Sequence, residues 1–391
     1  MYVYFETRPN LRAPFLLRAP RMRRHSSLLL HARFLRFFIC CLLLAFAGGA
    51  CLHAEEASKT LPKVRVISVG GTIDSTGSDR MDFANYGGPG RRVPVQKMVD
   101  DLQELKAIAT VTVEEDMVPE GGAGRTMATV LKVAKRVSEI FAKEPDIAGV
   151  VVTQGTNNLE ESAYFLDLTV HSTKPVVFVG AQRPSTALSS DGWLNLYNAI
   201  RVAASPDSAG RGTLLCMNEE INSARDVKKS AAYRVEAFKS PDLGFLGYAD
   251  ADKIVYYRLP TRRHTVNSEF DATKIDVLPQ VDIQYSYLEA SGGPIDALVT
   301  EGAKGIVVDG SGAGSPSSQQ DKAIKRAIEK GVIVVATTRT GTGRVLETIA
   351  RKKSGVIPGD NLTPQKARIL LQLGLTKTQD PVEIKRMFDE Y

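Results

Sequence analysis

Beyond its first sixty residues, the sequence predicts an α/β protein built on a parallel sheet covered on both faces, with a larger N-terminal unit followed by a smaller C-terminal one. Short β-branched apolar runs alternate with stretches of helical spacing, as buried parallel strands and their crossover helices do. The chain has 391 residues, more than one ordinary core holds, which favours two domains. With 43% hydrophobic and 24% charged residues it is globular, which excludes a collagen-like, coiled-coil or wholly disordered chain.

Val64–Val69 is a short apolar run ending at Gly70-Gly71, hence a strand. Met127–Phe141 places Val130, Leu131, Ala134, Val137 and Ile140 at helical spacing. Gly149–Thr153 reads as a second strand, Leu159–Val170 as a helix, Pro175–Gly180 as a third strand, Leu194–Ala204 as a helix and Gly212–Met217 as a fourth strand. Ile254–Leu259 and Val281–Tyr287 look like strands on either side of the polar stretch Thr261–Thr273. The alternation resumes through Ile295–Glu301, Gly305–Val308, Gln320–Lys330 and Val332–Thr337, and Pro364–Leu373 reads as the final helix. The expected division is a targeting segment at 1–54, an N-terminal α/β domain at 55–260, a linker at 261–280 and a C-terminal α/β domain at 281–391.

The targeting segment distorts the composition. Residues 1–54 hold eight Arg and one acid, Glu6, so the net charge of +6 becomes −1 for the rest. The body therefore carries no global excess to offer a nucleic-acid backbone. The same segment takes three of the four Cys and three of the five His, leaving Cys216, His171 and His264. That excludes a Cys/His zinc cluster, and there is no HExxH pair; a carboxylate metal site stays open. Cys216 sits in Leu214–Met217 and reads as a buried core residue. Arg33 and Arg36 lead into the apolar run Phe37–Ala47, which ends at Gly48-Gly49-Ala50. The run is short for a membrane span and fits the core of a secretory signal, so export to a periplasm-like space is expected. An uncleaved anchor is the competing reading. Cys51 raises lipidation, although Gly48-Gly49-Ala50 is a poor box for it.

Ligands of such a sheet bind at the carboxyl ends of its strands, which directs attention to the residues after Val69, Val152, Val179 and Met217. After the first strand, Gly70-Gly71 allows a tight turn that exposes Thr72; an ordinary strand-to-loop turn has the same look. Neither GxGxxG nor GK[ST] is present, so no nucleotide fingerprint exists. After the second strand, Asn157…Glu160 and Asn158…Glu161 have capping-box spacing and open a helix whose N–H groups point at the cleft. A capped helix without a ligand is the plainer alternative. Arg225-Asp226-Val227-Lys228-Lys229 is a solvated charge run or the source of a Lys general base. With His nearly absent, a Thr–Lys pair is the natural way to make a hydroxyl nucleophilic.

Val69-Gly70-Gly71-Thr72-Ile73 and TQGTNNLEESAYFLDL (Thr153–Leu168) resemble the two signature segments of bacterial L-asparaginases. So do PVVFVGAQRPSTALSSDGWLNLYNAI, ARDVKKS, FKSPDLGFLGY and RRHT within Pro175–Thr265, and the C-terminal NLTPQKARILLQLGLT. The resemblance covers about residues 61–391 and is to the exported, type II asparaginases and glutaminase-asparaginases. It implies hydrolysis of a side-chain amide without a cofactor, a larger N-terminal and a smaller C-terminal domain, and a homotetramer with sites between subunits. It implies that Thr72 is the nucleophile, that Tyr86 is the Tyr of a mobile loop assisting it, and that Thr156 is the second active-site Thr, paired with Lys229. Four departures from the family pattern stand out. Asn157 replaces the Asp that binds the substrate's α-ammonium. Gly122 and Ala123 replace a substrate-binding Ser-Gln. Ala313 aligns roughly with an Asn contributed across the interface, and the interface Glu has no secure counterpart, with Glu347 near it. Two readings follow: an asparaginase-type amide hydrolase, slowed or altered in substrate by these departures, and a non-catalytic binding or assembly protein that keeps the fold.

Overall fold

Why the chain pairs as it does is visible from the first strand. The computed structural model describes residues 60–115, 117 and 126–391. The targeting segment with Cys51, and Gly122 and Ala123, lie outside them. In β1 (Lys63–Ser68) Val64, Val66 and Ile67 are fully buried, so both faces of the strand are covered. α1 (Val95–Asp101) and β2 (Thr110–Glu114) follow, then α2 (Met127–Lys143), whose start is fixed by Thr126 accepting from the Thr129 N–H. β3 (Ile147–Thr153), α3 (Leu159–Thr169), β4 (Val176–Val179), α4 (Gly192–Ala204) and β5 (Thr213–Met217) complete the alternating part. Strands β2, β1, β3, β4 and β5 pair in that order, all parallel.

The sheet is mixed rather than wholly parallel. β6 (Glu220–Ser223) turns back antiparallel on β5, and β9 (Gly247–Ala249) and β10 (Ile254–Tyr256) extend that edge antiparallel. The turn is a two-residue hairpin in which Asn218 and Glu219 have φ of 52° and 59°, the double left-handed geometry that suits the twist of antiparallel strands. Glu is a poor marker of that conformation, which hides the hairpin in the sequence. A small ribbon, β7 (Lys228–Lys229) with β8 (Phe238–Lys239), lies between.

The C-terminal part carries a second sheet, all parallel, in the order β11 (Val281–Tyr285), β12 (Gly305–Gly310), β13 (Ile333–Thr338), β14 (Ile357–Pro358). Its helices are α5 (Gly293–Thr300), α6 (Ser318–Glu329), α7 (Ile349–Ser354), α8 (Pro364–Gly374) and α9 (Pro381–Glu390). α8 is therefore not the last helix. α9 is capped by Asp380 and opens on Pro381, and it buries Ile384, Met387 and Phe388. The two sheets share one apolar core: Tyr164, Phe165 and Leu168 of α3 belong to the same cluster as Ile369, Leu370 and Leu373 of α8. On its other face the first sheet packs Val64, Val151 and Val177 against Leu196, Ala199 and Ile200 of α4.

Candidate active site

β1 and β3 are parallel neighbours, with Ser68 opposite Thr153, so the loops after them emerge side by side. Gly71 has φ +138°, and a Cβ placed on it would lie 2.4 Å from the Gly155 Cα and N. Only glycine permits this backbone-to-backbone contact. The loops that carry Thr72 and Thr156, the residues that follow each glycine, therefore touch at this point. The Thr72 Oγ1 lies 3.1 Å from the Tyr86 hydroxyl.

Tyr86 comes from a long loop whose base is closed on both sides. Ser75 and Arg92 form an antiparallel bridge, and the Thr76 N–H donates to the Arg91 carbonyl at 2.9 Å. The Gly87 N–H donates to the Thr76 carbonyl, and the Ser185 N–H to the Ser75 carbonyl. Beneath them the Arg92 guanidinium pairs with the buried Asp74 carboxylate, with Nε 3.1 Å from Oδ2. Burial raises the Asp74 carboxyl above its usual range, and Arg92 opposes that rise.

Thr156 is buried, and its Oγ1 accepts from the Lys229 Nζ at 2.7 Å. Lys229 reaches it from the β7 ribbon, not from the carboxyl end of β5, because the β5–β6 hairpin intervenes. Burial lowers the Lys229 ammonium below its ordinary range, and the Glu160 carboxylate pulls the other way. The predicted capping boxes are not formed. Asn158 occupies the N-cap of α3 without accepting from the backbone, and its Nδ2 donates instead to the Glu161 Oε1 at 2.6 Å. Glu160 is buried, and its Oε2 accepts from the Lys229 backbone N–H at 3.1 Å. Sequence reasoning missed this role: spacing from Asn157 suggested a cap, whereas Glu160 serves the segment that carries the lysine.

The altered positions fall as follows. Asn157 is exposed at the start of α3, and its side chain makes no hydrogen bond to the described residues. Gln154, two residues before Thr156, turns its Nε2 into the core to donate to the Ser162 Oγ at 3.0 Å. Ala313 and Glu347 are exposed in loops of the C-terminal part, and Gly122 and Ala123 lie outside the described residues. Among the described residues, no group of three or more His, Cys, Asp or Glu side chains is set to hold a metal ion. Cys216 is fully buried, its thiol pushed up to about 12 by burial.

A Thr–Tyr pair and a Thr–Lys pair on adjacent strand ends are therefore in place. The asparaginase N-terminal family model matches residues 63–262, and the glutaminase/asparaginase C-terminal domain model matches residues 280–388. The chain belongs to the asparaginase family. It is 44% identical to L-asparaginase 2 of Bacillus subtilis over 338 residues, which cover 86% of this chain and 89% of that one. It is 41% identical to a glutaminase-asparaginase of Pseudomonas fluorescens, covering 90% and 96%. A crystal structure described as a probable cytoplasmic L-asparaginase of Campylobacter jejuni superposes with a TM-score of 0.80 at 39% identity, covering 84% of this chain and all of that one. This asparaginase-family chain is an amidohydrolase of the two-domain α/β fold.

Proposed function

We propose that this chain hydrolyses the side-chain amide of L-asparagine, and of glutamine as a second substrate, through an acyl-enzyme on Thr72. The observation that carries the reading is the meeting of the Thr72–Tyr86 and Thr156–Lys229 pairs across the Gly71–Gly155 contact. The Thr72 hydroxyl attacks the amide carbon while its proton passes to the neighbouring hydroxyl network, for which a neutral Lys229 is the sink. Collapse of the tetrahedral adduct expels ammonia, which takes up that proton. Water, activated in the same way, then cleaves the ester, giving the acid and free Thr72. Burial favours this role for Lys229, since it makes the neutral amine more accessible. Asn157 is neutral where the family pattern carries an Asp, so capture of the α-ammonium is the weakened step.

The same reading takes 55–260 and 281–391 as the two domains, joined by 261–280. It assigns 1–54 to export to the periplasm or beyond, and the working molecule to a homotetramer with sites between subunits. One relative is named as a probable periplasmic asparaginase. Ammonia release measured across asparagine, glutamine and amides lacking an α-amino group tests the activity. Release from none of them would reject it. N-terminal sequencing of the exported protein tests the leader, and a mature chain retaining residues upstream of Ala47 would reject it.

A further inference from the structure

Lys229 ends a short segment, 225–229, that has little regular structure before the β7 ribbon. Two buried charged side chains hold its backbone. From α8, the fully buried Lys366 Nζ donates to the Arg225 carbonyl at 2.8 Å and also to the Val227 carbonyl. From α3, the buried Glu160 Oε2 accepts from the Lys229 N–H. The segment's backbone thus offers two acceptors to a cation and one donor to an anion, in sequence order. Thr156 lies in the turn that leads into α3 and Glu160 in the first turn of that helix, so one short stretch of chain presents the hydroxyl partner of Lys229 and anchors the backbone of Lys229.

The charges facing these groups are few. No carboxylate makes an ion pair with the Lys229 Nζ among the described residues, and Glu160 is the one charge acting on it. Around Glu160 stand Lys366 from α8, Lys228 and the Lys229 N–H from the β7 ribbon, and Glu161 on its own helix. Around Lys366 stand Glu160, Asp226, Arg225 and Asp167. Asn157, the position where the family pattern carries an acid, is exposed and neutral.

We propose that Glu160 and Lys366 are positioning residues for the amide-hydrolase reaction: from the packed helices α3 and α8 they hold the segment that carries Lys229 against Thr156, and Glu160 supplies the negative charge that Asn157 does not. The proposal rests on Lys229 acting as the base, so it needs a readout independent of turnover. Site-resolved amine labelling of the intact protein across pH, read by mass spectrometry, reports the proton affinity of Lys229 whether or not any substrate is cleaved. Glu160→Gln keeps the acceptor for the Lys229 N–H and removes the charge. It is expected to move the labelling midpoint of Lys229 about one pH unit lower. In turnover, the acid limb of the kcat profile should move the same way, with plateau kcat reduced about fivefold and KM little changed, because the base is weaker. The exposed neighbour variant Glu161→Gln should change neither.

The double variant Glu160→Gln with Lys366→Met removes both buried charges together. It should recover thermal stability relative to Lys366→Met alone, because no uncompensated carboxylate is left in the core. Its Lys229 midpoint should stay displaced; a purely structural role would return the midpoint along with the stability. It also carries the test if Glu160→Gln alone does not fold. An unmoved Lys229 labelling midpoint in a folded variant lacking the Glu160 charge overturns the proposal. Normal labelling shifts without turnover in the parent protein would instead overturn the hydrolase reading.

Discussion

Thr72 and Asn157 make opposite demands on their surroundings. Thr72 needs a backbone that projects it and a hydroxyl beside it, and both are supplied by Gly71 and Tyr86. Thr72→Ala should abolish turnover and any acyl adduct visible by mass spectrometry while leaving the fold intact. Undiminished turnover would put the nucleophile elsewhere. Asn157 lies at the N-terminal end of α3, where an acid would be favoured by the helix dipole and would offer charge to an ammonium. Asn157→Asp should raise kcat/KM for asparagine at least about tenfold, about 1.4 kcal/mol. Because Glu160 already lies beside the Lys229 backbone, that gain should come through KM rather than kcat. A folded variant with unchanged kcat/KM would shift the defect to the Gly122–Ala123 positions.

The loop from Asp74 to Arg92 is the element whose order decides where Tyr86 stands. Backbone bonds close it, but the buried Asp74 depends on Arg92, and its Oδ1 has no hydrogen-bond partner among the described residues. Arg92→Ala leaves that carboxylate uncompensated. Since Arg92 is itself partly exposed, the loss should be about 1–3 kcal/mol rather than that of a fully buried pair. Protease cleavage within residues 76–91 should quicken, and kcat should fall as Tyr86 leaves Thr72. Equal cleavage rates in variant and parent would show that the backbone bonds suffice.

At the scale of the whole molecule, α3 lies between the two sheets and carries a buried acid into their shared core. Asp167 accepts from the Thr213 N–H at 2.7 Å, and burial raises its carboxyl from 3.8 to about 7. The folded protein therefore holds this proton more tightly than the unfolded chain. The stabilisation linked to it is complete below about pH 4 and is lost as pH rises toward about 7. Asp167→Asn keeps an acceptor for Thr213 and has no proton to lose. Its Tm relative to the parent should climb between pH 4 and 8, by the equivalent of a few kcal/mol at most. A Tm difference flat with pH would mean that Asp167 ionises in the fold as it does in water.

Local chemistry was enough to reveal much of this protein. Apolar runs such as Val64–Val69 and Gly149–Thr153 are short and rich in β-branched residues, which marks them as strands of a sheet covered on both faces. The glycines before Thr72 mark a turn for the same steric reason in any context. The motif residues Thr72, Tyr86, Thr156 and Lys229 could be named because they sit in recognisable segments. Other features depend on partners distant in sequence. Asn218-Glu219 gives no strong hairpin signal, and only pairing of β6 with β5 forces that turn. Glu160 looks like a capping residue until Lys229, sixty-nine positions on, presents its N–H. Lys366 looks like a surface lysine on an amphipathic helix until α8 packs on α3 and its ammonium donates to the carbonyls of Arg225 and Val227, with burial lowering it to about 8. A sequence states which groups can donate, accept or carry charge. Which of them lose water and must find one another is decided by packing, and that is settled only in the folded core.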